Sequence, residues 1–186
     1  MNAKVFFKTS LYFTAIVTIS MWALLAWNYY HGGVPSHHIL HREDLPAISN
    51  WWGGLLLPLL TWFLLYRIKK RFLRNNSERV PAEVLYGFAG GLLFGILLSV
   101  LFTSSYSNIL GYMIIGLFLL ALVFPIYRAE CVLGLVIGMT FTFGVVLPTM
   151  FGSILALVGT LLYLYVRPAF TRFIRTVSPN KHKINR

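Results

Sequence analysis

Apolar residues fall in six runs, at about 9–30, 51–66, 84–103, 109–127, 131–147 and 153–166, and polar residues collect in the gaps between them. A helix needs about 20 mostly apolar residues to cross the hydrocarbon of a bilayer. Helices and closed barrels alone leave no backbone group unsatisfied there. The runs therefore predict an all-α integral membrane protein, a single domain of six transmembrane helices within 186 residues. The first run exceeds the roughly 7–15 apolar residues of a signal-peptide core. Trp27, Tyr29 and Tyr30 crowd its end in the manner of an interfacial anchor.

Small residues refine this pattern. Gly53, Gly54 and Pro58 predict a kinked or locally broken second helix, with Ser49 or Asn50 as its cap. A proline leaves a carbonyl one turn earlier without its donor, and a neighbouring helix must supply one. Gly87, Gly91 and Gly95 recur every four residues in the third run, as do Gly134 and Gly138 in the fifth. Such spacing lines one helix face with glycine and lets another helix approach closely, within the chain or in a homo- or hetero-oligomer. Pro148 to Gly152 reads as the turn before the sixth helix. Phe170, Phe173, Ile174 and Val177 in the tail have the spacing of a short interfacial helix.

Composition agrees with the runs. The chain is 58% hydrophobic and 11% charged, where soluble domains carry about 25% charged residues. A net charge of +11 would point to nucleic acid in a soluble protein, but the basic residues lie between the runs and in the tail. That placement marks topology, and it argues against a nucleic-acid partner. With the N-terminus inside, Lys4, Lys8, six residues of the basic loop 67–83, Arg128 and six residues of the tail 167–186 face the cytoplasm. These are fifteen of the sixteen Lys and Arg, and Arg42 is the exception. Both ends are thus expected in the cytoplasm of a bacterial inner membrane, with loop 31–50 facing the periplasm or exterior. Cys131, the single cysteine, opens an apolar run and reads as a small buried hydrophobe.

Candidate chemistry gathers in that outer loop, which holds four of the five histidines and two of the five acids. If residues 36–43 form a helical turn, His37 and His41 lie at i, i+4 and His38 and His41 at i, i+3. Either pair presents two imidazoles in one direction, the arrangement a divalent transition metal such as zinc requires. His31 joins the set if Gly32-Gly33 turns the chain back, and Glu43 and Asp44 supply oxygen ligands. Without metal, His41, Glu43 and Asp44 are the residues for acid–base work on a lipid headgroup. His37-His38-x-x-His41 resembles one box of the membrane-bound di-iron desaturases and hydroxylases. Those enzymes require several boxes facing the cytoplasm, and this chain has one, facing out.

Three functions follow as expectations. The first is capture of a metal ion or small solute at the outer face, in association with transport. In size, helix count and long first outer loop the chain resembles the substrate-binding subunits of vitamin uptake systems, though it carries none of their motifs. The second is an interfacial enzyme acting on a lipid or lipid-linked substrate, and the third a non-catalytic accessory or assembly subunit. Because the six runs carry no ionisable residue well inside them, a proton pump, a proton-coupled antiporter and a voltage sensor are disfavoured. Any chemistry is expected at the outer surface.

Overall fold

The structure is a computed structural model, and it describes residues 3–34, 36–38, 47–74, 82–104, 107–169 and 172. Six α-helices make up nearly all of it: α1 (Ala3–Tyr30), α2 (Gly53–Arg74), α3 (Ala82–Thr103), α4 (Ser107–Val123), α5 (Ala129–Phe143) and α6 (Val146–Leu161). A 3₁₀ turn, Asn50–Trp52, leads into α2, and a π-helical segment, Leu162–Val166, extends α6. Two three-residue strands, β1 (Ser36–His38) and β2 (Ala47–Ser49), pair antiparallel above the end of α1. Four spans are long and apolar enough to cross a membrane: Val5–Tyr30, Asn50–Arg71, Ala82–Thr103 and Val146–Ala169. The apolar helices Asn108–Val123 and Ala129–Phe143 are shorter. Large apolar side chains point outward, among them Ile19, Trp22, Leu93, Leu119 and Leu157, each more than half exposed. A surface so apolar fits lipid as its solvent.

Two boundaries differ from the sequence pattern, each for a local reason. Helix α2 does not stop at Tyr66 but runs on to Arg74 through the basic cluster. Lys and Arg are good helix formers whose long stems lie along apolar surface, so charge alone does not end a helix. Buried Leu57, Thr61, Leu64 and Ile68 are spaced four, three and four residues apart along it, and the next step of that stripe is Arg71. The α5–α6 turn falls at Gly144-Val145 rather than at Pro148–Gly152. Gly144 has φ +70°, a conformation glycine adopts without strain, and a Cβ there would meet the Asn50 side chain. Pro148 then sits in the first turn of α6, where a missing N–H costs nothing.

Helices α1 and α2 run antiparallel. The Phe7 and Trp62 rings meet edge to face at 5.8 Å, and Lys69 Nζ lies 5.5 Å from the Phe7 ring centre. Helix α2 passes through Pro58 without a break. The carbonyl that Pro58 leaves without its donor belongs to Gly54, and Trp22 Nε1 on α1 donates to it at 3.0 Å. The neighbour thus supplies the required donor. Trp22→Phe is expected to cost about 0.5–1.5 kcal/mol, the net range for one hydrogen bond. Adding Pro58→Ala, which restores the N–H, should recover most of that loss in reversible detergent unfolding.

The core is the seam between α3 and α5, which lie parallel with α4 returning between them. Gly91 faces Cys131 O and Gly134 faces Phe88 O so closely that a Cβ at either would overlap the opposite backbone. A Cβ at Gly95 would stand 2.6 Å from Leu135 O, and one at Gly138 2.5 Å from Leu92 O. Ser99 Oγ, one step beyond Gly95, donates to Gly138 O at 3.4 Å. The two glycine stripes therefore pack against each other inside the chain. Helix α5 is also flanked by α2 and α6, both antiparallel to it: Gly53 abuts Val145, and Gly152 abuts Val132 and Val136. Most hydroxyls bond their own helix one turn back, as Thr18, Thr140 and Thr160 do. Thr14 and Thr61 hydroxyls have no partner among the described residues.

Candidate functional site

The seam ends in charge rather than glycine. On α3 the repeat reads Gly87, Gly91, Gly95; on α5 it reads Glu130, Gly134, Gly138, so Glu130 takes the place that faces Gly87. Gly87 makes the room, since a Cβ there would come within 2.8 Å of Glu130 Cγ and 3.2 Å of Cys131 Sγ. The Glu130 side chain is 1% exposed. An isolated carboxylate so buried is costly, and here it is met by Arg71 from the end of the α2 stripe. Arg71 Nη2 donates to Oε1 at 2.9 Å and Nη1 to Oε2 at 3.2 Å, a two-pronged contact. The position of Glu130 in the first turn of α5 adds the favourable end of the helix dipole.

Beside this pair a cleft of about 720 Å³ opens between α3 and α4, with α5 as its floor. Its α3 wall runs from Glu83 to Phe94, a length of about 17 Å at 1.5 Å per residue. Leu117, Leu120 and Phe124 form the α4 wall, and Leu135 and Leu155 close the deep end. The polar groups lie at the other end, where Glu83, Arg128, Glu130, Cys131 and Tyr163 meet. Arg128 Nη1 donates to Glu83 Oε2 at 3.1 Å, with the Glu83 side chain 74% exposed. An ion pair in that setting contributes about 0–1 kcal/mol and is readily exchanged. Tyr163 stacks obliquely on Tyr127 at 5.7 Å and carries the Arg167 guanidinium 4.7 Å from its ring centre. Gly90 lies on the cleft wall with no atom near the position of an added Cβ. A mostly apolar cavity of this size with a few polar groups at one end has the character of a small-molecule or lipid site.

The described residues of loop 31–50 do not line this cleft. Gly32 and Gly33 have φ of +119° and +97°, and Gly33 N donates to Asn28 O at 2.9 Å, so α1 ends in a glycine turn. The His31 ring stacks on Trp27 at 3.9 Å, with Nδ1 2.9 Å from Trp27 O. With Nδ1 as the protonated nitrogen, Nε2 keeps its lone pair. His37 pairs with Ile48 and His38 with Ala47 across the β ribbon. Residues 36–38 are thus extended, and the helical spacing that grouped His37 and His38 with His41 does not apply to them. His41, Glu43 and Asp44 lie outside the described residues. Among the described residues no three His, Cys, Asp or Glu side chains gather as a metal site would require.

By sequence Glu130 falls in the short gap between the fourth and fifth apolar runs, and Arg71 in the basic loop 67–83. Two signals pointed inward. Arg71 continues the heptad-like stripe of Leu57, Thr61, Leu64 and Ile68, and Glu130 continues the four-residue repeat of Gly134 and Gly138. Cys131, read as a buried hydrophobe, instead lines the cleft. No family model, no curated protein and no solved structure matches the chain.

Proposed function

We propose that all six helices cross a bacterial inner membrane, with both ends cytoplasmic, and that the protein binds one lipid-like amphiphile in the cleft between α3 and α4. The topology rests on charge: Lys69 and Arg71 of α2, Arg128 and Arg167 come from three parts of the chain to the end of the bundle where α2 finishes and α3 and α5 begin. Helix α5 has 15 residues, about 22 Å against about 30 Å of hydrocarbon. It can be short because α2, α3 and α6 sheathe it, and its buried acid then needs a protein partner, which Arg71 supplies.

The binding reading rests on one observation: an apolar cleft, bounded by two lipid-facing helices, whose polar groups are confined to the end that the charge pattern places at the cytoplasmic interface. A tail would lie between Phe94 and Leu120 with its polar head beside Arg128. Gly90→Trp directs a large side chain into this space from a position where nothing stands within 4 Å of an added Cβ. Lipid retained by the purified wild type through native mass spectrometry should be absent from that variant, while both unfold at similar temperature. Equal retention would contradict the reading.

A second reading keeps the outer loop as a metal or solute site formed by His31, His37, His38 and His41. The observation favouring it is His31, whose Nδ1 contact orients the ring as metal-ligating histidines are commonly oriented. It predicts a bound divalent ion, zinc being the first to test, lost on changing His37, His38 and His41 to Ala. Metal analysis showing no ion in the wild type would count against it.

A further inference from the structure

We propose that the cleft selects an amphiphile with an anionic, phosphate-bearing headgroup over a zwitterionic one, and that Arg128 and Arg167 make the selection. This rests on the lipid reading of the cleft and names the class of lipid.

The argument is one of charge at the polar end. Four ionisable side chains of fixed sign stand there: Glu83, Arg128, Glu130 and, against the Tyr163 ring, Arg167. Glu130 is neutralised by the two-pronged contact with Arg71. Glu83 and Arg128 form a pair whose acid is 74% exposed, so solvent screens it and the exchange for a stronger partner is cheap. Among the described residues Arg167 is left as excess positive charge, held by its cation–π contact over the wall of the cleft. Guanidinium groups offer paired donors that match phosphate oxygens. A headgroup with net negative charge gains from both arginines, whereas a choline headgroup brings its own cation into the same space. The apolar deep end, at Phe94, Leu135 and Leu155, takes the tail.

The test reconstitutes the full chain into nanodiscs of equal parts phosphatidylglycerol and phosphatidylcholine with identical acyl chains. Lipid retained after detergent extraction is then read by native mass spectrometry. Enrichment of phosphatidylglycerol by about tenfold is expected, the scale of one added charge-assisted hydrogen bond. That enrichment should fall to near unity in the Arg128→Gln, Arg167→Gln double variant while a lipid is still retained. It should survive Lys70→Gln, which removes a basic charge outside the cleft. Retention without headgroup preference in the wild type would overturn the selection while leaving the cleft reading intact. Retention unaffected by Gly90→Trp would overturn both, because the lipid would then sit on the outer belt. The double arginine variant fills no space and removes no buried contact, so it decides the question even if the tryptophan variant does not fold.

Discussion

Arg71→Leu is expected to destabilise the bundle by about 3–5 kcal/mol, the cost of leaving a buried charge without its partner. Glu130 is 1% exposed and Arg71 30% exposed, so water entering the vacated space replaces the guanidinium only in part. The double variant Arg71→Leu, Glu130→Leu should recover most of this, because a buried ion pair often exchanges for apolar side chains at little net cost. Reversible unfolding of the four proteins in one detergent completes the cycle. The interaction is expected to have a sign and size that make the double variant more stable than either single one. Independent, additive losses would show that the two side chains do not depend on each other.

The second large effect lies in the seam. Gly134→Ala puts a Cβ against Phe88 O and Leu92 N, and Gly91→Ala puts one against Cys131 O. These are backbone atoms, which cannot rotate away as a side chain end can, so α3 and α5 must separate. Overpacking costs about 1–3 kcal/mol and occasionally more, and Gly134→Leu should exceed the alanine variant. Gly111→Ala and Gly116→Ala on α4 supply the contrast. Nothing stands near an added Cβ at either, and each should be neutral or slightly stabilising, since alanine favours the helix. Thermal unfolding of the four alanine variants measures the difference. Equal effects at the two sets would mean that the glycines act through helix propensity alone.

Much of the architecture is legible because long apolar helices leave a simple pattern in the sequence. The six apolar runs correspond one to one with α1–α6, and the donor needed near Pro58 is present as Trp22 Nε1. What misled was local chemistry with two meanings. Arg67 to Arg71 looks like a loop by charge but forms a helix by propensity. Pro148 looks like a breaker but is harmless in a first turn. The histidines of loop 31–50 stand out by composition, whereas the cleft is made mainly of Phe, Leu, Gly and Tyr, residues that apolar helices carry everywhere. Its location depends on α4 standing away from α3 beside Gly90, a relation between helices that no local pattern encodes. Glu130 was hidden for a related reason: a carboxylate at a helix start is ordinarily a solvated cap. Only its partner on a helix 59 residues earlier makes it a core residue.

The proposed lipid occupies the space between α3 and α4. A density map of the protein in a lipid nanodisc tests it most directly. Elongated density is expected against Gly90, between Phe94 and Leu120, with its broad end beside Arg128 and Tyr163. A map in which α4 closes onto α3 and Phe124 or Leu120 fills the space beside Gly90 would contradict it.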